Sequence, residues 1–358
     1  MRRIIARYAL TLLAVAVAAA GCRRIPLYDL STEIRIVIDH QLGIDHEIKL
    51  SADTDLPKDY QDKITGKMPQ YVNVLFYNPD THKLVTSQIL GAEGGQVSIP
   101  AGEYDIVVYN FGTESTQTRT YDHRMKAEAH TSDITNTMYE KMNAIQTNGR
   151  KEIKAASKTD SKTDSKTDSK GYRDDPVIHE PDHLYVANET GIEIPAFIEQ
   201  KEDVTIYMTS STLLDTYSLE VLNIKGAENI EKVEAFITGQ IKSNWFGRPE
   251  RNTKAATIYT DMRTDVPGKR LYTVFNTFGK LPGEQNEVYL DITVTDSGGG
   301  QYRYIYDVTD QFDDPDNTTH TLVVEGNEID IPEAALGGGG FAPSVDEWED
   351  EIIGVPLG

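Results

Sequence analysis

From residue 31 onward the chain repeatedly alternates apolar and polar positions with a period of two. Ile34, Ile36 and Ile38 lie on one side of such a run, with Arg35, Val37 and Asp39 between them. That pattern predicts a strand with one face in a core. Similar runs occur at Tyr71 to Tyr77, Leu84 to Leu90 and Tyr104 to Asn110, and in the last of these Tyr104, Ile106 and Val108 share a face. Asn78-Pro79-Asp80 stands between the first two as a hairpin turn, and Pro100-Ala101-Gly102 is the turn before the third. Met125 to Gln146 lacks turn residues and is read as holding one or two helical turns.

A second block of the same texture begins near Asp203. Val204, Ile206 and Met208 alternate, followed by Leu219, Val221 and Ile224, then Val233 to Ile241. Further runs lie at Leu271 to Phe278, Val288 to Val294 and Tyr302 to Val308, the last two joined by Ser297-Gly298-Gly299-Gly300. Thr, Val, Ile and Tyr dominate, as strand interiors favour. The expected fold is all-β: two tandem antiparallel β-sandwich domains, residues 22–200 and 201–358, rather than a parallel sheet with crossover helices.

The first 21 residues depart from this texture. Arg2, Arg3 and Arg7 precede an apolar stretch from Tyr8 to Ala20, and Ala19-Ala20-Gly21-Cys22 closes it. The stretch is too short for a membrane span and ends in small residues, so it reads as a secretory signal peptide, residues 1–21. Cys22 then supplies the thiol for lipidation at a new N-terminus. Several acyl chains hold a protein at a bilayer without a spanning helix. The resulting expectation is an outer-membrane, lipid-anchored protein, at the cell surface or facing the periplasm. Arg23 and Arg24 follow the Cys directly and leave both orientations open.

Two other segments lie outside the strand texture. Lys-Thr-Asp-Ser runs three times between Lys158 and Lys170 with no apolar residue, which predicts a mobile, solvated loop at 158–170. Gly337 to Gly340 read as a hinge before a short apolar and acidic segment, 341–358.

Charge and composition narrow the function. Lys+Arg number 35 against Asp+Glu 57, a net charge of −22, which disfavours a phosphate-binding surface and hence nucleic acid. A single Cys excludes an internal disulfide framework and a Cys-rich zinc module. Tyr outnumbers Phe, 19 to 9, as suits sheet faces where a ring packs and its hydroxyl reaches water.

Candidate chemistry is sparse. His179-Glu180-Pro181-Asp182-His183 satisfies the H-E-x-x-H pattern, but that zinc motif requires a helix and Pro181 breaks one. Asp310, Asp313, Asp314 and Asp316 crowd a turn around Pro315 without the Gly and closing Glu of a calcium loop, leaving at most a weak ion site. No G-x-S-x-G elbow or phosphate loop occurs. Asn188-Glu189-Thr190 and Asn317-Thr318-Thr319 are chance glycosylation triplets. Trp245-Phe246 is either an aromatic pair for glycan or protein contact or a core edge. Neither catalytic residues nor a cofactor is expected.

Cys22 followed by Arg23-Arg24-Ile25-Pro26-Leu27-Tyr28, the segment Pro100-Ala101-Gly102-Glu103-Tyr104-Asp105-Ile106-Val107-Val108-Tyr109-Asn110, and the ending from Gly339 through Asp346-Glu347-Trp348-Glu349 resemble the fimbrillin-associated anchor and accessory lipoproteins of Bacteroidales type V fimbriae. The resemblance implies tandem transthyretin-like sandwiches, other fimbrial subunits as partners, and assembly through donated β-strands. Stalk subunits of that family lose their first strand by cleavage after an Arg. Here no Arg follows Arg35 until Arg119, which suits a subunit that retains its first strand and its lipid. The expected function is therefore a non-enzymatic, lipid-anchored structural subunit. The alternative is a surface glycan-binding lipoprotein of a nutrient-uptake system, against which stand only two Trp.

Overall fold

The computed structural model describes residues 31–43, 48, 50, 56–134, 153–154, 175–196, 203–283 and 286–333. The signal segment with Cys22, the 158–170 repeat, the Gly-rich stretch and 341–358 lie outside these residues, as does most of Met125 to Gln146. Along the chain the strands are β1 (Ser31–His40), β2 (Tyr71–Tyr77), β3 (Leu84–Gly91), β4 (Gly94–Pro100), β5 (Gly102–Asn110), β6 (Gln117–Arg119), β7 (Glu128–His130), β8 (Ile153–Lys154), β9 (Val177–His179), β10 (Tyr185–Ile194) and β11 (Val204–Thr212). They continue as β12 (Asp215–Leu222), β13 (Ile230–Ile241), β14 (Ser243–Trp245), β15 (Ala255–Asp265), β16 (Arg270–Thr277), β17 (Tyr289–Asp296), β18 (Gln301–Asp307) and β19 (Thr321–Glu325). Helix α1 spans Lys58–Thr65 and α2 spans Thr309–Asp313.

The protein is all-β, as expected. Seven strands close in the order β1-β11-β10-β5-β2-β3-β4. Strand β10 makes the corner, pairing with β11 at Tyr185 and Val186 and with β5 over the rest of its length. Inward-facing Ile34, Ile36, Val72, Val74, Phe76, Val97, Ile99, Tyr104, Ile106 and Val108 form the core, so period-two alternation translates directly into burial.

The later strands run in the order β19-β12-β16-β15-β13-β17-β18-β8, with β9 added on β15. Strand β15 turns this sheet on itself: Ala255 to Met262 pair with β13, whereas Arg263 to Asp265 pair with β16. Leu219, Val221, Leu271 and Phe275 from one half thus meet Val233, Ala235, Leu290 and Ile292 from the other. This is sandwich packing made by a strand that changes layer.

Two features differ from a purely antiparallel pair of sandwiches. Strand pairs β1–β11, β12–β19, β15–β9 and β18–β8 are parallel. In addition, Val204–Thr212, which sequence pattern puts at the head of the later block, is hydrogen-bonded to β1 from Ile34↔Val204 to His40↔Ser210. Val204–Thr212 thus belongs to the first strand set, and β12, starting at Asp215, to the second. Parallel partners need no connecting hairpin, so no turn signal marks the pairing.

The sets share a core. Leu75, Tyr77, Val107 and Tyr109, on the outer face of the first, pack with Ile241, Phe246 and Phe278 of the second. Helix α1 lies against the second as well: Tyr60 meets Tyr272 edge-on with ring centroids 5.9 Å apart.

Candidate functional site

Strand β1 opens the first strand set and is paired on both sides. It lies between β11 and the antiparallel β4. Thr32, Ile34, Ile36 and Ile38 are buried, while Glu33, Arg35 and Asp39 face solvent. Burying three Ile side chains contributes on the order of 5–9 kcal/mol at about 1.5–3 kcal/mol each. Thr32 donates its hydroxyl to the Pro195 carbonyl at 2.6 Å. At the other end His40 is held by the Ala92 carbonyl, 2.8 Å from Nε2, and by the Ser210 hydroxyl, 2.6 Å from Nδ1. A carbonyl only accepts, so Nε2 carries a proton.

Gly94 lets β4 approach β1. Its φ is +95°, and a Cβ there would stand 2.1 Å from the Ile36 carbonyl oxygen. Only glycine meets both conditions. In the same register Ile36 faces Gly95 on β4 and Ile206 on β11.

The H-E-x-x-H segment forms a clasp between the two strand sets. His179 ends β9, and no helix follows. Glu180 accepts from Lys63 Nζ at 2.8 Å, from the Asn276 backbone N–H at 2.8 Å and from the Thr260 hydroxyl at 3.2 Å. Lys63 also donates to the Val274 carbonyl at 2.7 Å. Asp182 receives the backbone N–H groups of Glu114, Ser115 and Thr116 at 2.6, 3.1 and 2.6 Å. Burial opposes its charge, yet these bonds and the Thr116 and Ser115 side chains prevail and hold its carboxyl below the ordinary value. His183 Nε2 donates to the Lys63 carbonyl at 2.6 Å. Burial pushes its imidazole below 6.5 despite that bond and the carboxylates of Asp182 and Glu180. Among the described residues, His, Cys, Asp and Glu form no metal-holding group of three or more.

A cleft of about 420 Å³ opens beside the clasp, lined by Asp59, Lys63, Glu180, Tyr259, Asp261 and Arg263 among others. Its charges engage one another: Arg263 with Asp59 at 2.9 Å, Lys63 with Glu180, and the Tyr259 hydroxyl with Asp261 at 2.9 Å. Burial and the Asp261 and Glu234 carboxylates push the Tyr259 phenol upward.

The remaining candidates are structural as well. Phe246 is buried, and the guanidinium of Arg248 covers the Trp245 indole, 3.2 Å from its ring centroid. The pair is a core edge rather than a flat platform. Asp310 and Asp313 lie in α2, where Asp313 pairs with Lys280, whereas Asp314 accepts the Asp316 backbone N–H at 2.9 Å. Asn188 donates to the Phe246 carbonyl at 3.0 Å, and Asn317 braces its own turn through Gln311 and Thr321. Sequence pattern missed the ion pairs inside the second set. Arg270 bonds Glu220 and Asp265, and Arg303 bonds Asp291. Isolated charges on alternating strands look solvent-facing until their partners are known.

No described helix is long and apolar enough to cross a membrane.

A family model described as a domain of unknown function, DUF5119, matches residues 55–261, more than half of the chain and part of both strand sets. A curated protein of Bacteroides ovatus (strain ATCC 8483), named "Putative fimbrium anchoring subunit Fim4B", is 24% identical over 203 residues, 56% of this chain and 50% of that protein. The chain thus spans about half the length of this curated relative. A crystal structure titled as a "putative adhesin" from Bacteroides ovatus ATCC 8483 superposes with a TM-score of 0.56 at 19% identity, covering 88% of this chain and 98% of that one. That likeness is one of fold.

Proposed function

The chain belongs to the family described as domain of unknown function DUF5119, and from that premise we propose that it is a non-enzymatic anchoring or accessory subunit of a fimbria. The relationship to a protein named as a fimbrium anchoring subunit is the observation that carries the reading. The shared all-β architecture of the adhesin-titled neighbour agrees with it.

The finer parts rest on the residues. Removal of residues 1–21 would leave two strand-built modules on a lipidated Cys22 at the outer membrane, joined to other fimbrial subunits through shared β-strands. Strand β1 starts at Ser31, so eight residues, 23–30, would separate the lipidated Cys22 from the first barrel strand. A subunit whose first strand stays in place keeps its anchor covalently attached to its fold, which a base subunit requires. The guanidinium of Arg248 lies over the Trp245 ring, which gives the glycan-binding reading no free aromatic platform there.

The test is fractionation of cells expressing the full chain or Cys22→Ser. Wild type should sediment with membranes and co-purify with fimbrial subunits, and Cys22→Ser should be released while its strand fold is kept. Membrane retention of Cys22→Ser would overturn the lipid anchor. Failure of the wild-type chain to associate with fimbrial subunits would overturn the fimbrial assignment.

A further inference from the structure

Strand β3 has one complete neighbour. It pairs with β2 along its length, from Tyr71↔Gly91 to Tyr77↔Leu84. On its other side its sole ladder pairing among the described residues is Gly91↔Gly94 at the turn into β4, which then leaves to pair with β1. At the opposite end Leu84 gives its N–H to the Asp122 carbonyl, and Lys83 bridges His123. Between those two closures no described residue pairs with the strand, which leaves it an open edge.

The orientation of its backbone groups follows from the turn. Ala92 donates its N–H toward β2, to Gln70, whereas Gly91 faces Gly94. Alternation along an antiparallel strand then turns the N–H and C=O groups of Ser87 and Ile89 to the open side. Exposed edges are ordinarily blunted by charge, proline or a covering segment. This one has a bulge at its start, near Val85, but from Leu84 to Gly91 it carries neither a charged residue nor a proline. Ile89 is 64% exposed and Val85 49%. Beside them Tyr71, 53% exposed and opposite Gly91, stacks on Phe111 with ring centroids 6.2 Å apart. Unpaired backbone and apolar surface thus coincide on one strand.

We propose that the open edge of β3 receives an extended strand from another fimbrial subunit, extending the β3-β2-β5 sheet, with Ser87 and Ile89 supplying the backbone bonds and Ile89 and Val85 the apolar contact. The proposal rests on the fimbrial reading above and adds the place and chemistry of the contact. The occupant is an extended backbone because only that satisfies donors and acceptors in alternation along the edge. It carries apolar residues at every second position, to lie beside Ile89 and Val85. Exposed Asp80, Asp122 and Glu93 flank the two ends of the strand, against Lys83, so Lys or Arg at the ends of the incoming segment fits. A second copy of this chain, with a net charge of −22, is disfavoured there.

Amide hydrogen exchange on the full chain, with and without purified fimbrial subunits from the producing cells, tests this. The Ser87 and Ile89 amides should exchange quickly alone and at least about tenfold more slowly with the subunits, as new ladder bonds protect them. Ile89→Lys, a change at an exposed site, should abolish both protection and binding. Ser87→Pro should do the same without breaking the β2 ladder, because that N–H points away from it; if it fails to fold, Ile89→Lys alone decides. Binding with unchanged Ser87 and Ile89 exchange would overturn the β3 site and leave the fimbrial assignment standing. No binding at all would overturn both. Protection that rises with the chain's own concentration, without added subunits, would identify a second copy as the occupant and overturn the proposal.

Discussion

The Thr212 hydroxyl donates to Nδ1 of His183 at 2.8 Å, and the same oxygen accepts the Leu214 backbone N–H at 3.2 Å. Because His183 Nε2 already donates to Lys63, one neutral imidazole ties α1 to the segment that joins β11 to β12. The ring must stay unprotonated for that arrangement, and its lowered pKa agrees.

Acidification should therefore weaken the joint. Between the ordinary histidine value of 6.5 and its lower native value, the unfolded chain binds more protons at His183 than the native one, so stability falls as pH falls. Asp182 adds a loss of the same sign at lower pH, as its depressed carboxyl becomes protonated. Thermal midpoints from pH 8 to 4 should decline in wild type. His183→Gln should start lower by about 1–3 kcal/mol, for two imperfectly replaced buried hydrogen bonds, and should lose the slope just below pH 6.5. An unchanged slope in that variant would remove His183 from the joint.

Glu180 carries the second prediction. Its carboxylate satisfies Lys63 and the Asn276 N–H together, so Glu180→Ala leaves a half-buried ammonium short of its anion and a backbone donor unpaired. The expected cost is about 2–4 kcal/mol. Glu180→Gln, which keeps an acceptor, should cost less than half of that in urea denaturation. Equal costs would mean that the carboxylate acts by shape alone.

Much of this architecture was legible in the alternation. Strand β2 begins and ends at Tyr71 and Tyr77, as its pattern predicts, and Ile34, Ile36 and Ile38 all reach the core. What alternation cannot carry is partnership. His40 and Ser210 stand 170 residues apart, joined by a parallel pairing with no local signature. Helix α1 escaped notice because only Tyr60 and Ile64 mark its inner face over eight residues. The H-E-x-x-H spacing was visible, and Pro181 excluded the zinc helix. The clasp could not be foreseen, since its partners Lys63, Asn276 and Thr212 come from three distant elements.

Arg303 and Asp291 provide the third prediction. Both are almost fully buried, with Nε 2.8 Å from Oδ1 and a second contact through Nη2. Arg303→Met should cost about 3–5 kcal/mol, since it leaves a buried carboxylate without its cation. Adding Asp291→Leu should recover most of the loss. A double variant no more stable than the single one would show that packing rather than charge dominates the site. The measurement is a double-mutant cycle by chemical denaturation.

The last prediction concerns the hold on β1. The Cβ in Gly94→Ala would stand 2.1 Å from the Ile36 carbonyl oxygen, at a backbone φ of +95°. Strand β4 must then move away from β1, which loosens the ladder from Ser31↔Pro100 to Val37↔Gly94. A global destabilisation of about 1–3 kcal/mol is expected for the strain. The local effect is more telling: amides of β1 that bond to β4 should exchange faster, while those of the distant β17–β18 pair slow or quicken only with global stability. Ile36→Ala serves as the comparison. It should cost about 2–5 kcal/mol by opening a cavity in the barrel core without forcing β4 aside. If Gly94→Ala leaves β1 exchange unchanged, β4 does not hold the first strand, and its retention must come from the parallel pairing with β11 and the His40–Ser210 contact.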